Sequence, residues 1–314
     1  MQYYFAPMEG LTDATYRQLH SKYFKGIDRY YTPFFSPTEH RNLTPKERRE
    51  LPAANTLNYI CVPQVLTKVP GNFIWMAHVA KDLGYEEINL NLGCPSGTVT
   101  AKGKGSGMLR DLGELDQFLN QIFADSPLPI SIKTRIGFDS AEEFPAIMEV
   151  LNRYPLSQLI IHPRIRSQFY KGDVNMDAFE YALSSTKFPL CYNGNLHSKN
   201  DASKFFQKYP QVHSVMIGRS LIGDPGMLSN NGNNIEILAA FMDELLEVYT
   251  DVFGGPRNAM FRMKENWRHL LCKFENSEKL GKRLRKTTDL LEFKDITRQI
   301  FTTLPIRENL QPDW

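Results

Sequence analysis

Short apolar runs rich in β-branched and aromatic residues alternate along the chain with longer segments whose apolar positions recur at spacings of three and four. The first kind reads as strands, the second as helices with one buried face. Strand candidates are Tyr3 to Met8, Arg29 to Phe34, Val62 to Leu66, Glu87 to Gly93, Pro129 to Gly137, Gln158 to Arg164, Phe188 to Asn195 and Ser214 to Ser220. Helical patterns such as NFIWMAHVAKDLG, LDQFLNQIFA, AEEFPAIMEVLNRY, MDAFEYALSS and NDASKFFQKYP lie between most of them. Eight strands alternating with helices predict a parallel sheet closed into a (β/α)8 barrel, the TIM-barrel architecture. Beyond Asn234 the pattern changes: IEILAAFMDELLEVYTDVF and NAMFRMKENWRHLLCKF read as amphipathic helices parted by Gly254, Gly255 and Pro256, with no further strands. The expected division is a barrel over residues 1–235 and a small all-helical domain over residues 236–314.

Composition narrows the class. The 314 residues are 42% hydrophobic, 12% aromatic and 23% charged, as in a globular chain. The opening MQYYFAPMEG has no basic segment followed by an apolar stretch, and no apolar run approaches a membrane span, so a cytoplasmic protein with no membrane partner is expected. Cys61, Cys94, Cys191 and Cys272 lie far apart with no C-x-x-C pair, which argues against a disulfide scaffold and a zinc ribbon, so no metal is expected. The net charge of +2 is almost neutral, but its distribution is uneven. Between Arg257 and Lys286 stand ten basic residues against three acidic ones, which suits either a polyanion-binding face or a solvated helix face.

In a barrel of this kind the chemistry sits where the strands end. The polar residues there are Glu9 after the first strand, Gln64 in the third, Asn89, Asn91 and Cys94 at the fourth, Lys133 and Arg135 in the fifth, and His162 and Arg164 in the sixth. Asn193, Gly194 and Asn195 follow the seventh, and Gly218 and Arg219 follow the eighth. Phosphate commonly binds beside the last two loops, and glycines there with Arg219 predict a phosphate-bearing ligand. Lys133, between apolar neighbours Ile132 and Ile136, is expected to point into the barrel mouth, where it needs an anionic or polar partner. His162 suits a core histidine or a ligand contact, and Met8 suits the core.

Six ordered segments, APMEGLTDATYR, INLNLGCP with GKGSGML, SIKTRIGFD, IIHPR, YNGN and MIGRSLIGDP, together resemble the tRNA-dihydrouridine synthases over essentially the whole chain. The resemblance implies an FMN-bearing barrel with a helical tail, reduced by NADPH and acting on one uridine of tRNA. Carried onto this chain, it places Pro7, Met8 and Glu9 in the first flavin-binding loop and Gln64 at the flavin ring edge. Lys133 and His162 would contact the isoalloxazine, Asn193, Gly194, Asn195, Gly218 and Arg219 would hold the FMN phosphate, and Asn91 would lie near flavin and uracil. Cys94 would be the catalytic acid. Saturating a 5,6 double bond needs hydride at one carbon and a proton at the other, and a cysteine with an ordinary pKa of about 8.5 is mostly a thiol at neutral pH and can supply that proton.

The glycine-rich KGKGSG lacks the spacing of a P-loop and is expected to be a mobile loop that swings the thiol over a bound base, with Lys102 and Lys104 reaching RNA phosphate. In the tail, Arg257, Arg262, Lys264 and Arg268 are the RNA candidates, positioning the backbone while the target base leaves the stack. A monomer is expected. Two residues depart from the family pattern: Pro163 replaces the usual glycine of histidine-glycine-arginine, and Asn195 stands where an acidic residue is usual. Two rival readings are a flavin barrel acting on a free pyrimidine, as dihydroorotate dehydrogenase does, and a non-catalytic RNA-binding module. The first predicts no role for the basic tail, the second that Cys94→Ala is silent.

Overall fold

The computed structural model describes residues 1–230, 234–310 and 312. Among them, nine parallel strands form one sheet: β1 (Gln2–Phe5), β2 (Arg29–Tyr31), β3 (Cys61–Val62), β4 (Gln64–Val65), β5 (Ile88–Leu92), β6 (Ile130–Arg135), β7 (Gln158–His162), β8 (Leu190–Tyr192) and β9 (Ser214–Ile217). The neighbour order is β3-β2-β1-β9-β8-β7-β6-β5-β4. Its two ends are consecutive in the chain, parted only by Pro63, so β3 and β4 are one stave and the barrel closes. That stave pairs with β2 through Tyr31 and Val62 and with β5 through Gln64 and Asn89. Pro63 has no N–H to give the ladder, and the strand is interrupted there. The eight expected strands are therefore present, most of them shorter than expected, the first and third each beginning one residue earlier and the third split at its proline.

Alternation along each strand decides what the barrel contains. Register pairs Gln64 with Asn89, Asn89 with Ser131, Asn91 with Lys133, Ile160 with Lys133 and with Cys191, and Cys191 with Ser214. Tyr4, Ala6, Tyr31, Val62, Ile160, Cys191 and Met216 pack together as an apolar core. The same strands carry fully buried Gln64, Asn89 and Ser131 and buried Asn91, so the interior is apolar through the middle and polar toward one end.

The chain resolves into two compact units. One comprises Met1–Pro7, Arg29–Asn195 and Lys208–Met216; the other comprises Met8–Asp28, Leu196–Gln207 and Ile217–Trp314. The first holds the strands and the covering helices Pro70–Asp82, Leu112–Asp125, Phe144–Leu151 and Met176–Ser185. The second is helical, with Ile235–Val252, Pro256–Leu270, Glu278–Lys286 and Leu290–Thr303 following Ala14–Tyr23. Its core is aromatic: Phe241 packs edge-on against Tyr16 and Phe24, with centroids at 5.5 and 5.2 Å. Asp13 ties the segment to the tail helices. One of its oxygens caps Ala14–Tyr23 by accepting from Tyr16 N at 2.9 Å, and its carboxylate also receives the Tyr249 hydroxyl and, at 2.9 Å, the Arg262 guanidinium.

Candidate active site

Where β4, β5 and β6 rise through the barrel, their inward amides form a continuous hydrogen-bonded chain. Asn89 Nδ2 donates to Ser131 Oγ at 2.8 Å, Gln64 Nε2 to Asn89 Oδ1 at 2.8 Å, and Asn91 Nδ2 to Gln64 Oε1 at 2.7 Å. Each donor fixes the orientation of the next amide, so the orientation of Asn91 is settled by the whole row. Asn91 Oδ1 then accepts from the backbone N–H groups of Gly93 and Cys94, at 3.0 and 2.9 Å. Cys94 is thereby pinned at the end of β5, half-buried.

The following loop folds back on this residue. Ser106 gives the Cys94 carbonyl two hydrogen bonds, from Oγ at 2.8 Å and from N at 3.2 Å. Gly105 has φ +58°, and a Cβ there would sit 2.9 Å from Cys94 Cβ, 3.0 Å from its carbonyl oxygen and 3.1 Å from Val99 Cγ1. Gly105 thus serves close packing around Cys94, where a mobile loop was expected. Lys102 is exposed, and half-buried Lys104 donates to Ser36 Oγ at 3.0 Å. Burial and the charges of Lys102 and Lys68 lower the pKa of Lys104, which marks a three-lysine cluster to which the sequence reading had not assigned Lys68.

Across the mouth the charge is positive. Burial, reinforced by Arg135, pushes the Lys133 pKa down to about 7, and Lys133 makes no hydrogen bond among the described residues. Arg135 spends its guanidinium on three carbonyls, those of Gly93 at 2.9 Å, Ile165 at 3.0 Å and Phe169 at 2.7 Å. Burial lowers its pKa to about 10. His162 is held well below its ordinary pKa by burial and then by Lys133 and Arg135, so it is neutral. Because Arg164 Nη1 approaches His162 Nε2 at 3.4 Å and can only donate, the ring proton is assigned to Nδ1, which gives it to the Asn193 carbonyl at 2.6 Å.

The two departures meet in Arg164. Pro163 occupies a tight turn closed by Arg164 N to His162 O at 2.7 Å, a shape its fixed φ suits, and the turn sends Arg164 back to His162. Arg164 Nη2 also donates to Asn195 Oδ1 at 3.1 Å. Asn193 Nδ2 donates to Met216 O at 2.7 Å, and Gly194 must be glycine because a Cβ would fall 1.9 Å from the Tyr192 hydroxyl.

The structure therefore brings Gln64, Asn91, Cys94, Lys133, His162, Asn193 and Asn195 to one end of the barrel, with half-buried Pro7 ending the first segment of that unit. Met8, Glu9, Gly218 and Arg219 belong to the second unit. There the Met8 carbonyl accepts from Leu11 and Thr12, Glu9 is exposed, and Gly218 caps the short helix Arg219–Gly223. In the tail, Arg257 and Arg268 are exposed, Arg262 is committed to Asp13, and Lys264 donates to the carbonyls of Arg285, at 3.2 Å, and Thr287. Among the described residues no group of three or more His, Cys, Asp and Glu could hold a metal ion, and no helix is long and apolar enough to cross a membrane.

Known proteins share this architecture and sequence. The chain is 27% identical over 223 residues to tRNA-dihydrouridine synthase B of Pasteurella multocida (strain Pm70), covering 71% of this chain and 66% of that protein. It is 26% identical over 276 residues to a probable tRNA-dihydrouridine synthase of Rickettsia conorii (strain ATCC VR-613 / Malish 7), covering 80% of each. The match thus spans just under two thirds of the length of the first of these relatives. Among solved structures, a morphinone reductase variant in complex with tetrahydroNAD superposes with a TM-score of 0.52 at 9% identity, covering 72% of this chain and 85% of that one, which shows the shared barrel fold. The profile of the dihydrouridine synthase (Dus) family matches residues 4–302, and the chain belongs to that family.

Proposed function

We propose that this chain is an FMN-dependent tRNA-dihydrouridine synthase, drawing electrons from NADPH and reducing the 5,6 double bond of one uridine in tRNA. The observation that carries the reading is the fixed placement of Cys94 at the barrel mouth, on the same rim as half-buried Lys133, which makes no hydrogen bond among the described residues. An ammonium partly withdrawn from water beside Arg135, with no hydrogen-bond acceptor, calls for one. The site fits the oxygen- and phosphate-rich cofactor in that respect: Lys133 and neutral His162 would meet the ring system, and Gln64 keeps one Nε2 hydrogen for its edge. Pro7, Met8 and Glu9 would close over it, and Asn193, Gly194, Asn195, Gly218 and Arg219 would hold its phosphate.

Bound there, the reduced flavin would supply hydride to one carbon of the uracil double bond. Cys94 Sγ gives its proton to the other carbon and is reprotonated by solvent, so the thiol acts as acid and forms no lasting bond. Asn91 holds the Cys94 backbone in place, and Arg135 secures the Gly93 carbonyl from the other side. Lys102 and Lys104 with Lys68, and Arg257, Arg262, Lys264 and Arg268 on the helical part over residues 236–314, are the surfaces for tRNA phosphate. The flavin is carried by residues 1–235, and the enzyme works as a cytoplasmic monomer.

The test is mass-spectrometric mapping of dihydrouridine in tRNA from cells lacking the gene, restored with wild type or with Cys94→Ala. Loss at one position, recovered by wild type only, establishes reaction and site. An unchanged map in a host without a redundant enzyme rejects tRNA as substrate and favours a free pyrimidine.

A further inference from the structure

The loop that follows β7 carries two neighbouring aromatic residues in the open, Phe169 at 43% and Tyr170 at 49% exposure. Their rings have different surroundings. Tyr170 stands edge-on to His162, with centroids 6.0 Å apart, and the Arg135 guanidinium lies 5.5 Å from its ring centre. Phe169 lies against Arg166, whose guanidinium is 5.7 Å from the Phe169 ring centre and 5.2 Å from that of buried Phe138. Phe138 in turn carries the Arg110 guanidinium at 3.8 Å. Cations and rings therefore alternate along this rim in the order Arg110, Phe138, Arg166, Phe169, and the last ring of the row stands in solvent. Arg166 Nε also donates to Pro95 O at 3.3 Å, so the row is fastened to the residue after Cys94. All of these residues belong to the strand-bearing unit.

The backbone beneath Phe169 is costly to keep. Lys171 N donates to Gln168 O at 2.8 Å and closes a tight turn in which Phe169 has φ 51° and ψ −96°. A positive φ at this place in a turn is ordinarily met by glycine, and a bulky side chain there is strained. The turn aims the Phe169 carbonyl at Arg135 Nη2, 2.7 Å away, and the same guanidinium holds the Gly93 carbonyl at 2.9 Å. Glycine would present that carbonyl equally well and without strain, so the carbonyl does not account for a phenylalanine. Burial does not account for it either, because the ring stands in solvent. What remains is a flat apolar face beside a guanidinium, one residue from the tyrosine that touches His162. An exposed ring among cations suits an unstacked stretch of RNA, with a base on the ring and phosphate near Arg166 and exposed Arg110. When a uridine is drawn out of its stack, the bases beside it lose a stacking partner, and Phe169 offers a replacement.

We propose that Phe169 is a stacking platform for a base directly flanking the target uridine. This rests on tRNA being the substrate. The test is the dissociation constant of tRNA from the holoenzyme, read by fluorescence anisotropy. Phe169→Leu keeps the strained backbone and an apolar side chain but has no flat face, and Phe169→Gly removes ring and strain together. Each is expected to weaken tRNA at least about fivefold, while Phe169→Trp stays within about twofold of the wild type. The same measurement is repeated with tRNA carrying an abasic ribose on the 5′ side of the target uridine, and then on the 3′ side. The wild type is expected to lose at least about fivefold on one of the two, and on that RNA Phe169→Leu should lose nothing more, since the base it would have stacked is already gone. A general defect in folding would weaken the abasic RNA as well, so the cycle keeps the two causes apart. Tight tRNA binding by Phe169→Leu, weak binding by Phe169→Trp, or an undiminished effect of Phe169→Leu on both abasic RNAs overturns the platform while leaving tRNA as the substrate. Failure of the wild type to reduce any uridine in tRNA overturns both.

Discussion

Gly105→Ala isolates the packing that fixes the Cys94 loop, provided it is compared with Gly254→Ala. Both glycines have positive φ, +58° and +70°, so both alanines incur the same backbone penalty of about 1–2 kcal/mol. They differ in surroundings: nothing lies within 4 Å of a Cβ at Gly254, whereas at Gly105 three atoms lie between 2.9 and 3.1 Å, two of them belonging to Cys94. Backbone and Cβ atoms cannot yield as a flexible side-chain end can, so overpacking adds about 1–3 kcal/mol at Gly105 alone. At about 2 °C per kcal/mol for a chain of this size, the Tm of Gly105→Ala should fall about 2–6 °C below that of Gly254→Ala. The strain acts directly on Cys94, and a displacement approaching 1 Å costs up to about a hundredfold in rate. Single-turnover uridine reduction should therefore slow at least about tenfold in Gly105→Ala, with flavin content unchanged, and stay at wild-type speed in Gly254→Ala. Equal melting of the two variants together with full activity in Gly105→Ala would show that contact with Cys94 is not what this glycine provides.

Two further outcomes follow from the charges. Lys133 has a folded pKa of about 7 against about 10.4 unfolded, so between those values the unfolded chain binds more protons and stability of the flavin-free protein must rise with pH; Lys133→Met should flatten that slope in chemical denaturation from pH 7 to 10. FMN binding near pH 8 should draw up to one proton in the wild type and none in Lys133→Met, read as buffer-dependent binding enthalpy. The basic tail divides by burial. Arg262→Met should cost about 3 kcal/mol of stability, the low end for breaking a buried pair because 23% of the Arg262 side chain stays exposed. Arg257→Ala and Arg268→Ala should leave Tm unchanged while each lowers the salt slope of tRNA binding by about one.

Strand positions were legible because alternation and apolar runs are local signals, and the family motifs made the rim residues Gln64, Asn91, Cys94, Lys133, His162 and Asn193 legible as a set. The interruption at Pro63 could have been anticipated from its missing N–H. Arg135 could not be given its role in the same way. The three carbonyls it binds lie 42, 30 and 34 residues from it, so its function as a clamp exists only once the barrel is closed. The commitment of Arg262 to Asp13 spans 249 residues, and charge patterning cannot separate such a residue from its exposed neighbours Arg257 and Arg268. Pro163 and Asn195 read as two unrelated departures in sequence, yet Arg164 joins them: the proline aims its guanidinium and the asparagine receives it. An acidic residue at position 195 would add a charge that the neutral amide does not, so this chain leaves more net positive potential beside His162.

The polar groups at this end of the barrel are not equally costly. Gln64, Asn89, Asn91 and Ser131 satisfy one another in a row, so their burial costs little, and the row serves to hold one backbone segment still. Lys133 is different in kind, since none of the described residues satisfies it, and its neighbour Arg135 deepens the penalty instead of relieving it. A fold selected for stability alone would replace such a lysine with an apolar residue of similar volume. Its presence beside a cysteine whose backbone is held by Asn91 and by a closely packed loop makes sense if a bound group completes the charge balance. The cost in the free protein is then recovered as affinity, and the rim is already arranged before substrate arrives.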